Sequence, residues 1–250
     1  MKSTGNTILI TGGGSGIGLG LAQAFHALGN KVIVAGRRKQ ALDSATAASP
    51  GMASVELDVE NPASIRAVAD RLAADYPSLN VLINNAGIMR VENLLTQPEP
   101  PADAESIVAI NLLGPIRLTA ALLPLLRKQP HSTIVNVSSG LGFVPLALTP
   151  TYCATKAAIH SYTQSLRYQL RETTTEVLEL IPPYVATDLL GGASDPRAMP
   201  LDQFIQQTME IFQADPTPAE ICVERVKPMC LAAERGHYGA VYQGLNQQRF

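Results

Sequence analysis

Cysteine is scarce in this chain of 250 residues, and its three cysteines are odd in number. Cys153, Cys222 and Cys230 follow no metal-ligand spacing, and the chain is much larger than a scaffold held together by disulfides. The sequence therefore predicts no metal site and a reducing compartment. We expect the protein to be cytoplasmic.

Long basic runs are also missing, as is a long apolar run near the amino terminus. The formal charge is −2 and the pI is near 6.1, so the chain has no net positive field to attract nucleic acid. The apolar residues 7–10 are too few for a signal-peptide core or a membrane span. We therefore expect neither nucleic acid nor a membrane as a partner.

The chain does contain short apolar runs that alternate with longer segments of helical period. The predicted strands are residues 7–11, 31–35, 54–57, 81–84, 133–137, 176–181 and 240–243. Nearly continuous apolar strands separated by helices are typical of a parallel sheet that is buried on both faces. We predict a doubly wound α/β fold, with residues 1–250 as one domain.

Cap and turn residues set the expected boundaries of several elements. Asn61-Pro62 and the capping-box sequence Thr217-Pro218-Ala219-Glu220 predict helix starts. Gly29-Asn30 predicts the end of the first helix. The proline-rich residues 97–101 and the segment 182–200 are predicted loops.

A glycine-rich segment follows the first predicted strand, with the spacing Gly12-x-x-x-Gly16-x-Gly18. It does not satisfy the usual G-x-G-x-x-G fingerprint. Gly12 can turn the chain, while Gly16 and Gly18 allow the backbone to approach a phosphate closely. A merely flexible loop is the alternative. Its position between a strand and a helix favours a dinucleotide pyrophosphate bound at the helix start.

A tyrosine and a lysine are spaced four residues apart in the second half of the chain. Tyr152 and Lys156 would lie on one face of a helix, which places a proton donor beside a cation. Taken alone, this spacing is also typical of a surface pair. Together with the glycine turn, it favours an oxidoreductase.

In their order along the chain, these motifs resemble the short-chain dehydrogenase/reductase family. The resemblance spans most of the chain and rests on Thr11-Gly12-x-x-x-Gly16-x-Gly18, Asn84-Asn85-Ala86-Gly87, Ser139 and Tyr152-x-x-x-Lys156. It implies a Rossmann-type, mostly parallel seven-stranded sheet, nicotinamide-dependent carbonyl or alcohol chemistry, and a homodimer or homotetramer. It also implies cofactor contacts from Gly12, Gly14, Ser15, Gly16, Ile17, Gly18, Asp58, Val59, Asn85, Ala86, Gly87, Tyr152, Lys156, Val185 and Thr187.

The resemblance further implies four catalytic residues, Asn111, Ser139, Tyr152 and Lys156. Tyr152 would be the general acid or base, and the nearby ammonium should lower its phenol pKa from about 10 toward working pH. By family position, Lys156 would also bind the nicotinamide ribose, and Ser139 would hold the substrate oxygen. Asn111 would support a water-mediated proton path. Taken singly, Ser139 is equally typical of a cap and Asn111 of a solvated helix residue.

The end of the second strand bears on the choice of cofactor. NAD-specific folds usually place an acid there, and this chain has Gly36-Arg37-Arg38. The guanidinium groups of Arg37 and Arg38 can bind a 2′-phosphate through paired, charge-assisted hydrogen bonds. We therefore predict NADP(H), with NAD less favoured. The alternative is that both arginines belong to a solvated helix start.

The chain departs from the family after the sixth strand, where Pro182-Pro183 replaces the common Pro-Gly. Pro183 lacks the freedom of glycine in φ and has no amide donor. The following segment, residues 184–200, contains glycines and the apolar Leu189 and Leu190. We predict that this segment is a lid, the alternative being a static loop or short helix.

Apolar residues dominate the candidate substrate pocket, which by family position consists of Ile88, Met89, Leu141, Phe143, Val144, Leu189 and Leu190. They favour a lipophilic ketone or aldehyde, although such residues are also typical of a core. Two other classes remain open: a non-catalytic NADP(H)-binding regulator, and a scaffold that oligomerises through long helices. The presence of Ser139, Tyr152 and Lys156 favours the enzyme over the regulator.

Overall fold

The computed structural model describes residues 1–96, 101–189, 191 and 195–247. The strands are β1 (Thr7–Thr11), β2 (Lys31–Gly36), β3 (Ala53–Glu56), β4 (Val81–Asn84), β5 (Ser132–Val137), β6 (Thr175–Leu180) and β7 (Glu220–Ile221). They form one seven-stranded sheet in the order β3-β2-β1-β4-β5-β6-β7, and every neighbouring pair is parallel. The predicted doubly wound α/β fold is confirmed.

Helices connect successive strands and cover both faces of the sheet. They are α1 (Gly16–Ala27), α2 (Lys39–Ala48), α3 (Pro62–Asp75), α4 (Ala102–Val108), α5 (Gly114–Leu126), α6 (Pro150–Leu170), α7 (Leu201–Phe212), α8 (Lys227–Cys230) and α9 (Tyr238–Asn246). A π-helical turn, Ala109–Leu113, joins α4 to α5. A short 3₁₀ turn, Gly140–Gly142, follows β5.

Alternate residues of β1 point into two different cores. Ile8 and Ile10 lie in a first core, against α1 and α7, whereas Leu9 lies in a second core, against α3, α5 and α6. This alternation follows from the two-residue side-chain period of a strand. Because both sets of side chains are buried, the strands appear in the sequence as continuous apolar runs rather than as alternating apolar and polar residues.

The strand order reverses direction next to β1, which lies between β2 and β4. Loops that leave the carboxyl ends of β1 and β4 therefore diverge to opposite faces of the sheet and open a crevice between them. In open parallel sheets, this crevice is where ligands bind.

Two predicted boundaries are confirmed by their cap geometry. The Asn61 side chain accepts hydrogen bonds from the amides of Ala63 (2.8 Å) and Ser64 (3.4 Å), and Pro62 opens α3. Gly29 takes a left-handed φ of 82° directly after α1, which is a conformation that glycine adopts without a steric cost.

The predicted strand at residues 240–243 is wrong, because these residues lie within helix α9. The seventh strand is instead Glu220–Ile221, inside the segment where the capping-box sequence predicted a helix start. The Thr217 hydroxyl is engaged elsewhere, since it accepts a hydrogen bond from the Met1 ammonium (2.9 Å). Pairing of Glu220 and Ile221 with β6 decides this region, and local propensity cannot reveal that pairing.

One helical run, Ala102–Leu126, is long and apolar enough to cross a membrane by length and composition. Core helices pass the same test, and this run contributes Leu118 and Leu122 to the second core. Its apolar side therefore packs against the sheet in this structure.

Candidate active site

A cleft of about 670 Å³ opens at the carboxyl ends of the central strands. The predicted site residues that line it are Gly12, Gly14, Ser15, Gly16, Ile17, Arg37, Arg38, Val59, Asn85, Ala86, Gly87, Ser139, Tyr152, Lys156, Val185 and Thr187. The structure thus brings together motifs that are spread over most of the chain. Gly18, Asp58 and Asn111 do not line the cleft, and each acts on residues that do.

The glycine loop between β1 and α1 has geometry that larger residues cannot adopt. Gly12 and Gly16 have left-handed φ values of 67° and 52°. A Cβ added at Gly18 would lie 2.3 Å from the carbonyl oxygen of Gly12, which is far inside contact distance. The loop therefore packs against the amino-terminal end of α1, and at its glycines no side chain covers the backbone. This cradle fits the pyrophosphate of a nicotinamide dinucleotide.

The turn after β4 is tied to the end of β1. The Thr11 hydroxyl oxygen accepts hydrogen bonds from the amides of Asn85 (2.9 Å) and Ala86 (3.0 Å), and the Asn85 side chain donates to the Thr11 carbonyl (2.9 Å). Asn84, one residue earlier, is buried and donates to Thr119 and Asn136. These residues hold the two walls of the crevice together.

Two guanidinium groups stand at the carboxyl end of β2. Arg38 donates a hydrogen bond to the Ser15 hydroxyl in the glycine loop (2.9 Å). Arg37 lies 3.9 Å from the Glu60 carboxylate, and 53% of its side chain is exposed. Both line the cleft beside the glycine loop, where the ribose of an adenine nucleotide would be expected by resemblance to the family.

Asp58 shapes the turn next to this end of the cleft rather than lining it. Its carboxylate accepts a hydrogen bond from the amide of Glu60 (3.0 Å), and its own amide donates to the Ser64 hydroxyl (3.1 Å). Its neighbours Leu57 and Val59 face the cleft instead. The predicted cofactor contact of Asp58 is therefore not visible as a cleft-lining position.

Tyr152 and Lys156 lie on the buried face of α6, 6% and 5% exposed. Burial raises the pKa of Tyr152 to about 12, and a hydrogen bond with Ser139 opposes that rise. We expected the opposite direction from the Tyr-Lys spacing. The reason for the difference is the burial of the phenol, which spacing alone does not show. Lys156 Nζ donates to the Val137 carbonyl (2.8 Å) and lies 5.6 Å from the centre of the Tyr152 ring.

Burial acts on Lys156 in the other direction. It lowers the pKa of Lys156 to about 8, because a buried ammonium loses its hydration, and the carboxylate of Glu179 opposes this shift. At neutral pH the two groups are thus a protonated phenol and a mostly protonated amine. This pair can donate a proton and stabilise the anion that remains.

Asn111 is buried in the π-helical turn and is not the solvated helix residue of the alternative interpretation. Its side chain accepts from the Ile88 amide (2.9 Å) and donates to the Ile88 carbonyl (2.8 Å). It also donates to Thr155 on α6 (3.4 Å). Asn111 therefore links the turn after Gly87 to the helix that carries Tyr152.

The Pro182-Pro183 segment keeps its place in the cleft despite the missing glycine. The Pro182 carbonyl accepts a hydrogen bond from the Gly140 amide (3.0 Å), and Pro183 lines the cleft. Beyond it, Val185 pairs with Met199 in an isolated bridge. Thr187 faces the glycine loop, because a Cβ on Gly16 would lie 3.3 Å from its methyl group.

Residues 190 and 192–194 of the predicted lid lie outside the described residues, as do residues 97–100 of the predicted loop 97–101. The two ends of the segment are joined: Tyr184 accepts at its carbonyl from the Met199 amide (2.8 Å), and its hydroxyl donates to Asp195 (3.2 Å). Asp195 also pairs with Arg197. The lid remains a prediction.

Of the candidate substrate-pocket residues, Ile88, Met89, Leu141 and Leu189 line the cleft. Val144 does not, because it is fully buried, and Phe143 packs against the first core and His160. The structure adds cleft residues that the sequence did not indicate, among them Arg90, Leu146, Met229 and Leu245, and places Tyr184, Asp188 and Arg197 of the predicted lid segment at the cleft. Met229 and Leu245 come from α8 and α9, and no local motif marks them.

The geometry of fold and cleft agrees with the relationships of the sequence. A family described as short chain dehydrogenase matches residues 6–198, and the chain belongs to that family. It is 38% identical over 253 residues to uncharacterized oxidoreductase DltE of Bacillus subtilis (strain 168), an alignment that covers 99% of each chain. The protein is thus an oxidoreductase of the short-chain dehydrogenase/reductase type.

Solved structures with the same fold hold either form of the nicotinamide cofactor. A short-chain dehydrogenase from Sphingobium yanoikuyae in complex with NADPH is 27% identical, with a TM-score of 0.79 and coverage of 98% of each chain. The 3-ketoacyl-(acyl-carrier-protein) reductase from Brucella melitensis, complexed with NADH, is 26% identical, with a TM-score of 0.78 and coverage of 86% of this chain and 93% of that chain. The fold itself is therefore compatible with both cofactors.

Proposed function

We propose that this protein transfers a hydride between NADP(H) and a carbonyl or alcohol substrate of apolar character, with Tyr152 as general acid or base. The observation that carries the proposal is that Ser139, Tyr152 and Lys156 line the same cleft as the glycine loop, with Tyr152 and Lys156 buried on α6. Hydroxyl donors and a buried cation next to a dinucleotide cradle meet the needs of carbonyl reduction.

The roles of the chain's own groups follow from their protonation. Ser139 and Tyr152 donate hydrogen bonds to the substrate oxygen, and Tyr152, protonated at neutral pH, gives its proton to that oxygen as it becomes an alkoxide. The ammonium of Lys156 stabilises the tyrosinate that remains. Asn111 holds the Ile88 backbone in place next to α6. The bound nicotinamide would supply or accept the hydride at the carbonyl carbon.

The preference for NADP(H) over NAD(H) rests on the end of β2. Two guanidinium groups stand there and no carboxylate replaces Gly36, so a 2′-phosphate meets positive charge. Arg38 is already oriented by its hydrogen bond to Ser15. The Glu60 carboxylate, near Arg37, weakens this field, but its contact of 3.9 Å is long for an ion pair.

A non-catalytic NADP(H)-binding regulator is the competing function. The measurement that separates the two is the loss of NADPH absorbance with a panel of apolar ketones and aldehydes, repeated with NADP and the matching alcohols. We expect turnover with several members of the panel. Saturable NADPH binding without consumption by any substrate would support the regulator and contradict the enzyme.

A further inference from the structure

A buried carboxylate lies behind the catalytic residues and takes no part in the mechanism described so far. Glu179, on β6, is 0% exposed. Its position is unusual because an ionised carboxylate away from water is costly unless it is paired and hydrogen-bonded. Both of its oxygens have a partner, and each partner belongs to an element of the active site.

One oxygen reaches the loop that carries Ser139. The hydroxyl of Ser138, the preceding residue, donates to Glu179 Oε1 at 2.5 Å. Ser138 is 2% exposed, so solvent does not compete for this bond. A short hydrogen bond between a hydroxyl and a carboxylate is among the stronger kinds in proteins. Glu179 therefore fixes the backbone immediately before Ser139.

The other oxygen reaches the helix that carries Tyr152 and Lys156. His160 Nδ1 lies 2.8 Å from Glu179 Oε2, and His160 follows Lys156 by one helical turn. The ring of His160 also packs on Phe143 at 4.5 Å between centroids, which ties it back to the loop after Ser139. The loop and the helix touch closely there, since a Cβ on Gly142 would lie 2.9 Å from the Lys156 carbonyl carbon.

The charge of Glu179 also acts on Lys156. The carboxylate raises the pKa of the lysine, against the larger lowering that burial causes. The other titratable groups around Glu179 are His160 on α6, Glu220 on β7, and the thiols of Cys222 and Cys230. Among the described residues, Glu179 is the carboxylate whose charge raises the pKa of Lys156.

The same neighbourhood has the composition of a metal site, because His160, Glu179 and Glu220 each bring one ligand atom within 4.8 Å of the others. The contacts favour a different role. Glu179 Oε2 and His160 Nδ1 are at hydrogen-bond distance from each other, Glu179 Oε1 is bound to Ser138, and Glu220 is exposed. The carboxylate is thus committed to the fold around the active site.

We propose that Glu179 is a positioning residue whose carboxylate joins the Ser139 loop to the Tyr152 and Lys156 helix and holds a negative charge against His160, one helical turn from Lys156. This inference rests on the proposed function for its kinetic consequence, but its electrostatic part concerns Lys156 alone. The two parts can be measured separately, one without any substrate.

The first test is a titration of Lys156 by NMR of protein labelled with ¹⁵N-lysine. The chain has six lysines, so the resonance of Lys156 can be assigned from the spectrum of Lys156→Met. In Glu179→Gln, which keeps the shape and loses the charge, we expect Lys156 to titrate at lower pH than in the wild type. Glu220→Gln is the matched control, since it removes a neighbouring but exposed carboxylate, and should leave the titration unchanged.

The second test is kinetic and uses Ser138→Ala beside Glu179→Gln. Ser138→Ala removes the hydroxyl that binds Glu179, and Glu179→Gln replaces a charged acceptor with a weaker, neutral amide oxygen. A misplaced catalytic group typically costs roughly ten- to hundredfold in kcat. We expect this loss in both, with the KM for NADPH within about twofold of the wild type. Only Glu179→Gln should also move the alkaline loss of kcat to lower pH, because Ser138→Ala keeps the charge that supports the ammonium.

The outcomes decide between the two proposals. An unchanged Lys156 titration in Glu179→Gln, or an equal shift in Glu220→Gln, would overturn the inference whether or not the wild type turns over a substrate. If Glu179→Gln fails to fold, Ser138→Ala still decides, since normal kcat in that variant contradicts the positioning role. A wild type that consumes no NADPH with any carbonyl compound speaks against the proposed function instead.

Discussion

The two ends of the cleft hold their cations in opposite environments. At the nucleotide end, Arg37 stands at the carboxyl end of β2 with 53% of its side chain exposed. At the end that we propose to be catalytic, Lys156 is 5% exposed and donates to a backbone carbonyl. The first cation keeps its hydration, and the second has lost most of it.

This difference determines what each charge can do. A buried charge has a shifted pKa and a fixed geometry, so small changes there alter chemistry by large factors. An exposed charge interacts through water, where salt screens it beyond about 8–10 Å and individual pairs are weak. We therefore expect the catalytic end to control kcat strongly and the nucleotide end to control cofactor choice more gently and in a salt-dependent way.

The largest effect should come from the catalytic end. In Tyr152→Phe, which removes one buried hydroxyl, we expect kcat to fall by roughly 10²–10⁴-fold, as is typical of a lost acid–base group. The affinity for NADPH should change little, because the aromatic ring stays in place. Stopped-flow or steady-state turnover and fluorescence titration of NADPH measure the two quantities.

Tyr162→Phe is the matched control for that variant. Tyr162 lies on the same helix and is half-buried, but it does not line the cleft. It should keep nearly the full kcat. Ordinary turnover by Tyr152→Phe would contradict the mechanism. An equal loss of kcat in Tyr162→Phe would mean that both substitutions act by destabilising the fold.

These residues show which features of the site can be predicted from the sequence. The Gly12 to Gly18 loop and the Tyr152-Lys156 pair are local patterns, and each fixes its own geometry through a turn or one helical turn. The direction of the Tyr152 pKa shift could not be predicted, because it depends on burial by elements that are distant in the sequence. The spacing in the sequence predicts that the two side chains are close together, but their burial and hydrogen-bond partners depend on how the whole chain packs.

The position of the two-residue strand β7 was not predicted, for a related reason. Glu220 and Ile221 form a strand because β6 offers them an edge, and nothing in their own sequence requires it. Conversely, the apolar and aromatic residues near 240 have strand propensity, but they form a helix in the structure. Misplacing that segment also hid Leu245, which reaches the cleft from α9.

A smaller effect is expected at the nucleotide end. We predict that NADPH binds at least about tenfold more tightly than NADH, or about 1.4 kcal/mol, and that Arg37→Asp removes most of this difference. The substitution replaces a cation with an anion at the expected 2′-phosphate position, while NADH has no group there to repel. Binding titrations with both cofactors measure the preference.

Arg66→Asp is the control for net charge, because Arg66 is exposed on α3 and does not line the cleft. It should leave the preference for NADPH intact. Raising the ionic strength should also shrink the preference in the wild type, since the cation is exposed. Equal affinity of the wild type for NADPH and NADH would contradict the predicted preference for NADP(H).

The smallest effect should come from the substrate end, where Leu245 of α9 lines the cleft. Leu245 is half-buried and packs against the cluster of Met89, Ile107, Leu146, Tyr152 and Cys153. Leu245→Ala removes apolar surface from the cleft wall, but the side chain is already partly in water. We therefore expect kcat/KM for a bulky apolar ketone to fall only roughly threefold, less than full burial of a leucine would imply. Turnover of a small ketone, too short to reach α9, should be unchanged.

Val241→Ala, on the same helix but away from the cleft, controls for the stability of α9. A loss of equal size for small and bulky ketones would mean that Leu245 supports the fold rather than contacting the substrate.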